Sequence, residues 1–128
     1  MSAPPDPRHA AGREAEGAAA GYLESLGMTI VGRNVRTGGG EIDLVARDGG
    51  TLVFVEVRYR ESDAFGTPED SVGVLKRLRV ARAARRYLAE IGPSGWTEAR
   101  FDVVAVEGGE TPALRHFQGA FDARGKVL

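Results

Sequence analysis

"GEIDLVARDGGTLVFVEVRYR", spanning Gly40–Arg60, sets two apolar arms on either side of Asp48-Gly49-Gly50 and carries acids inside both of them. Alternating residues flanking such a turn signal predict a β-hairpin. The second arm runs from Val53-Phe54-Val55 directly into Glu56 and Arg58. A carboxylate in so apolar a strand is costly unless something compensates it. A two-residue turn at Gly49-Gly50 pairs Asp48 with Thr51 and, counted back, sets Asp43 directly opposite Glu56. A turn centred on Asp48-Gly49 sets Glu41 opposite Glu56 and leaves Asp43 diagonal on the same side. A three-residue loop separates the acids onto opposite faces.

Outward from the hairpin, Ala, Tyr22, Leu23 and Leu26 recur at helical spacing between about His9 and Leu26, and Gly27 is a natural stop. "MTIVGRNVR" predicts a first strand, broken from the hairpin by the glycines at 38, 39 and 40. After the polar loop "ESDAFGTPED", Pro68-Glu69-Asp70 suits the start of a second helix ending near Ile91, before Gly92-Pro93. "RFDVVAVE" is apolar on both faces and reads as an interior strand; "ALRHFQGAF" reads as a short last strand or a packed arm. The order of helix, three strands, helix and one or two strands predicts an α/β layer arrangement, with helices covering a mixed sheet. Residues 1–8 read as a disordered lead-in and 9–128 as one domain.

The 128 residues contain no cysteine, which excludes disulfide frameworks and thiolate metal sites. No apolar leader or membrane-length stretch is present, so a cytoplasmic protein without membrane partners is expected. Lys and Arg total 17 against 18 for Asp and Glu, a formal net charge of -1 that alone argues against a polyanion partner. Distribution reverses that inference. "KRLRVARAARR", Lys76–Arg86, holds six basic residues and no acid. On a helix Arg79, Arg82 and Arg86 form one ridge with Lys76 close to it, opposite a stripe of Val74, Leu78, Ala81 and Leu88 expected to be buried. Such a ridge binds phosphates by charge without reading sequence, and nucleic acid is favoured over a merely solvated face because no acids balance it.

Opposed carboxylates need a cation or a raised pKa to persist. Mg²⁺ or Mn²⁺ fits an all-oxygen donor set, since the only histidines are His9 and His116. From spacing alone this stands level with an ordinary ion-pair network joining Asp43 and Glu56 to Arg47, Arg58 or Arg60. Glu16 lies one heptad before Leu23 and borders the packed face of the first helix, whereas Glu14 borders solvent.

"GEIDLVARDG", "LVFVEVRYR", "YLESLG", "RFDVVAV" and the closing Ala120-Phe121 resemble the YraN-like family of small bacterial proteins, within the restriction-endonuclease-like, or PD-(D/E)XK, superfamily. The resemblance implies a restriction-endonuclease-like three-layer core similar to archaeal Holliday junction resolvases, and with it a metal-dependent DNA endonuclease acting on branched DNA, working as a homodimer. It matches Asp43 to the metal-binding aspartate, Glu56 to the acid of the E-x-K element and Glu16 to the helix-one glutamate, where Ala15 replaces the usual glycine of a "GE" pair. Arg58 stands where that element has lysine. A guanidinium stabilises phosphate charge but cannot act as a base, so water activation would fall to the metal, to Glu56 or Glu16, or to Lys76 reaching in from the second helix. The competing expectation is a nucleic-acid-binding module that keeps the fold and has lost hydrolysis, with Arg58 neutralising the acids from within.

Overall fold

The computed structural model describes residues 7–60, 73–108 and 113–126. In chain order these form α1 (Pro7–Ser25), β1 (Thr29–Thr37), β2 (Gly40–Asp48), β3 (Thr51–Arg60), α2 (Val74–Ile91), a single 3-10 turn (Pro93–Gly95), β4 (Glu98–Glu107) and β5 (Ala113–Phe121). The strands lie side by side in sequence order. Pairing is antiparallel except between β3 and β4, which run parallel, so α2 is the crossover that a parallel pair requires. "RFDVVAVE" is an interior strand, as its two apolar faces predicted, and "ALRHFQGAF" is the strand that closes the sheet at one edge.

Strict alternation along β3 builds a core on each side of the sheet. Val53 and Val55 meet Ala15, Ala19, Ala20 and Leu23 of α1. Leu52 and Phe54 meet Val80, Ala81, Ala83 and Ala84 of α2. Both helices present mainly alanine to the sheet, which brings their backbones close to it. The α2 side is filled by aromatic rings instead, with Phe54 against Phe101 at 5.6 Å and Phe101 stacked on Phe121 at 5.0 Å. The result is a three-layer α/β fold, a mixed five-stranded sheet between two helices, consistent with a restriction-endonuclease-like core. Among the described residues no helix is long and apolar enough to cross a membrane.

The hairpin adopts the Gly49-Gly50 register: Asp48 pairs with Thr51, Val45 with Phe54 and Leu44 with Val55. Gly49 takes a φ of 61°, where a side chain would be strained. The other two registers are excluded. The expected start of α2 at Pro68-Glu69-Asp70 lies outside the described residues. Its buried stripe differs from expectation. Ala81 is buried and Leu88 packs against the core, but Val74 and Leu78 are 58% and 39% exposed. The buried side is turned by about one residue, ~100°, toward Val80, Ala83 and Ala84. Alanines allow the closest approach to the sheet, so they, rather than the larger aliphatics, choose the face.

The turn between β1 and β2 lies flush on α2. A Cβ at Gly39 would stand 2.7 Å from Arg82 Cγ and 2.8 Å from the backbone nitrogen of Ala83, whereas one at Gly49 would meet nothing. Gly39→Ala is therefore expected to cost about 1–3 kcal/mol by forcing the turn off the helix, and Gly49→Ala about 1 kcal/mol through its backbone alone. Urea unfolding midpoints check the order; equal losses would place the turn away from α2.

Candidate active site

The ladder between β2 and β3 ends at Leu44 and Val55, although both strands run on. Alternation from Leu44 and Ala46 would turn Ile42 toward α1, yet Ile42 packs in the α2-side core with Val45. The strand thus twists at Asp43, beside Asn34 of β1, whose φ of 48° makes it the one non-glycine residue with positive φ among those described. Where the two strands part, the Asp43 carboxylate crosses the gap: Val57 donates its backbone N–H to Asp43 Oδ2 at 2.9 Å. Hence the residue that interrupts the ladder also satisfies the amide that the interruption releases.

Glu56 is next along β3, 0% exposed and among the largest fully buried side chains of the molecule. Neither of its oxygens has a hydrogen bond of ordinary geometry. The Lys76 ammonium lies 3.2 Å from Oε2. Burial first, and the neighbouring Asp43 carboxylate second, push its pKa up to about 8, against the opposing pull of Lys76. Glu56 and Arg58 both fall on the α2 side of β3 by alternation. Arg58 is half-buried and registers with Ala105 of β4.

A cleft of about 330 Å³ opens above this pair, lined by Gly40, Glu41, Asp43, Lys76, Arg79 and Val80. Glu56 lies behind Lys76 and does not reach its surface. Glu16 is half-buried and Glu14 exposed, as their helix positions predicted. Asn34 donates to Glu16 Oε2 at 3.1 Å. Burial raises the Glu16 pKa, helped by the charges of Asp43 and Glu41 and opposed by the Asn34 hydrogen bond. Glu16 is near enough to feel Asp43 but belongs to the α1 layer and is absent from the cleft wall. Among the described residues no group of three or more His, Cys, Asp or Glu side chains is placed to hold a metal ion. The structure therefore joins Asp43 and Glu56 and leaves Glu16 at their margin.

The basic residues of α2 divide by direction. Arg86, Arg82 and Arg79 run in succession beside Gly38, Gly39 and Gly40, so the expected ridge leads along the glycine turn into the cleft. Arg77 and Arg85 turn the other way, donating to the carbonyls of Gly125 and Ala123. Lys76, expected with the ridge, is turned inward to Glu56.

Sequence reasoning missed a second buried acid. Asp102 on β4 is 0% exposed and accepts hydrogen bonds from His116 Nε2 at 2.7 Å, the Gly119 amide at 3.0 Å and Arg100 Nε at 3.1 Å. Burial alone would raise its pKa; the bonds from His116, Gly119 and Arg100 outweigh burial and lower it. Tyr22 of α1 lies edge-on to His116, with ring centroids 5.4 Å apart. The signal was an acid inside the apolar run "RFDVVAVE", the same signal that marked Glu56. Asp102 is fully satisfied and Glu56 is not, which sets the two apart chemically.

These features define an α/β protein with a buried glutamate and a half-buried aspartate beside each other beneath a basic helix. The chain belongs to the uncharacterised protein family UPF0102, whose family model matches residues 15–106. It is 51% identical over 123 residues to a UPF0102 protein of Anaeromyxobacter dehalogenans, covering 94% of this chain and 90% of that one. A UPF0102 protein of Symbiobacterium thermophilum is 49% identical over 114 residues, covering 88% and 96% respectively. The matched span includes Glu16, Asp43, Glu56, Arg58 and the α2 ridge, and ends before β5.

The raised Glu56 pKa has a stability consequence. Between an ordinary value of 4.5 and about 8, the unfolded chain has released this proton and the folded chain retains it. The contribution is thus fully present below 4.5 and is lost as pH rises through about 8, with a slope of at most about 1.4 kcal/mol per pH unit. Glu56→Gln should flatten the fall in urea midpoint over that window. A variant whose midpoint declines as steeply as that of the wild type would show that Glu56 is ionised throughout.

Proposed function

We propose that this protein is a metal-dependent DNA endonuclease of the restriction-endonuclease-like, PD-(D/E)XK type, hydrolysing a phosphodiester in the cleft above Asp43 and Glu56. The single observation that carries the reading is Glu56: a wholly buried carboxyl, without an ordinary hydrogen bond, beside a second acid and under a basic helix. A purely structural acid would be satisfied as Asp102 is. The donor set is all oxygen, and two carboxylates suffice for Mg²⁺ or Mn²⁺ when water and substrate phosphate complete the shell. Asp43 in the cleft wall and Glu56 behind it would hold such an ion, with Glu16 at the margin on the α1 side. When bound it would polarise the phosphate and lower the pKa of a water.

The remaining roles belong to the chain itself. Arg79 in the cleft wall, followed by Arg82 and Arg86 along the glycine turn, gives a DNA backbone a track of positive charge ending at the acids. Arg58 supplies permanent charge on the Glu56 side of β3 and cannot accept a proton. Lys76 balances Glu56 from α2 and is the one ammonium among the cleft-lining residues, a position from which it orients a phosphate or water oxygen. The resemblance to archaeal Holliday junction resolvases favours branched DNA as substrate.

One observation favours a second reading. Lys76 Nζ, 3.2 Å from Glu56 Oε2, offsets charge on the buried acid without a metal. Together with arginine at position 58, it suits a nucleic-acid-binding module that has lost hydrolysis. Incubating the protein with branched, nicked and single-stranded DNA in Mg²⁺ or Mn²⁺ separates the readings. Wild-type protein is expected to cut at least one of these, and Asp43→Ala to lose on the order of a hundredfold in rate while still binding. Binding by both proteins with no cleavage by either selects the module, and no binding at low salt defeats both.

A further inference from the structure

Asp43 has no registered partner among the described residues of either neighbouring strand. Toward β3 the pairing stops at Leu44 and Val55. Toward β1, Arg33 registers with Leu44 and Val35 with Ile42, which sets Asn34 opposite Asp43 with no registered pair between them. Leu44 lies in the α1-side core and Ile42 in the α2-side core, although residues two apart in a regular strand share a face. Asn34 has a φ of 48°, in the left-handed region that asparagine enters more readily than most residues with a side chain and that breaks an extended strand. Asn34 is exposed, so core packing does not impose that conformation. An irregular edge strand blocks pairing with other chains, but β1 already has a register shift for that between Ile30 and Gly32.

The break at Asn34 bears on the Asp43 side chain. In a regular strand that side chain would stand out from one face of the sheet. Instead Asp43 Oδ2 accepts the Val57 backbone N–H at 2.9 Å, and backbone N–H groups point along the sheet, from strand to strand. The carboxylate therefore lies in the gap between β2 and β3, where Asp43 lines the cleft and its charge reaches both Glu56 and Glu16. Asn34 is tied to the same group of acids: its side-chain amide donates to Glu16 Oε2 at 3.1 Å, which fastens the kink to α1.

We infer that Asn34 is a positioning residue for the candidate site: its left-handed backbone breaks the β1–β2 ladder at Asp43 and thereby holds the Asp43 carboxylate in the gap between β2 and β3. What that placement serves rests on the reading of Asp43 as a metal ligand. A β-branched residue is strongly disfavoured at positive φ, so Asn34→Val should return the position to extended backbone, close the ladder through Asp43 and turn the carboxylate away from Val57. Glycine adopts positive φ freely, so Asn34→Gly should keep the break and lose only the amide.

Two measurements on the full chain separate the aim of Asp43 from its use. Amide hydrogen exchange at Val57 reads the aim, with Asp43→Ala giving the rate without the acceptor. Calorimetric titration of metal-free protein with Mn²⁺ reads the use. Asn34→Val is expected to exchange Val57 as fast as Asp43→Ala does and to bind Mn²⁺ about 10- to 100-fold more weakly, the usual loss when a residue that orients a metal ligand is removed. Asn34→Gly should restore wild-type protection and most of the affinity. A residue that only stabilised the strand would lower the urea midpoint and leave both readings unmoved. Wild-type Val57 protection in Asn34→Val overturns the inference and leaves the proposed function standing. A glycine variant as impaired as the valine one does the same, and Asn34→Ala takes the place of a valine variant that does not fold. If the wild-type protein fails to bind Mn²⁺, the metal reading falls and Val57 exchange decides by itself whether Asn34 aims Asp43. Fast exchange in Asn34→Val, rescued in Asn34→Gly, then supports the inference, and equal protection in all three proteins refutes it.

Discussion

A carboxyl group sealed in the sheet with a lysine as its close counter-charge is the constraint around which this molecule is arranged. Glu56 is expensive where it stands: burial and Asp43 both act against its charge. Three features make the position tenable. The Gly49-Gly50 turn sets the register that brings Asp43 to it, the parting of β2 from β3 opens space over the pair, and the alanine face of α2 brings the helix close enough for Lys76 to reach in. Each also serves the cleft, which opens where the strands separate and is walled by the same helix.

Asp102 shows what the same sheet does with an acid that it merely has to accommodate. There a histidine, a backbone amide and an arginine close every demand, and the pKa falls. That network ties β4 to β5 and, through the edge-on ring of Tyr22, to α1. Two buried acids are thus treated differently within one small core: Asp102 is fully hydrogen-bonded, whereas Glu56 has the Lys76 ammonium and the Asp43 carboxyl beside it among the described residues.

The hairpin was legible because strand parity admits few solutions. Once a two-residue turn is granted, the facing of Asp43 and Glu56 follows by counting. The interior position of "RFDVVAVE" and the inward edge of Glu16 were legible for similar reasons of period. The rotation of α2 was not, because alanines at 81, 83 and 84 and aliphatics at 74, 75 and 78 compete for the face, and closeness of backbone approach decides between them. Nor was the twist that carries Ile42 to the α2 side, beside which Asn34 of the neighbouring strand takes a positive φ. The Asp102–His116 bond joins residues across a register irregularity between β4 and β5, which no local pattern announces. Lys76 was within reach in the helical count, but its inward turn depends on the distance between helix and sheet.

The proposed metal role requires Glu56 to be mostly protonated at neutral pH in the absence of a divalent cation, and a carbon-13 NMR titration of its side-chain carboxyl with and without Mg²⁺ tests that most directly. The expected midpoint without metal is about 8, and saturating Mg²⁺ is expected to lower it by roughly one unit or more, as a nearby positive charge does. A midpoint near the ordinary 4.5 without metal, or one that Mg²⁺ leaves unmoved, would contradict the account.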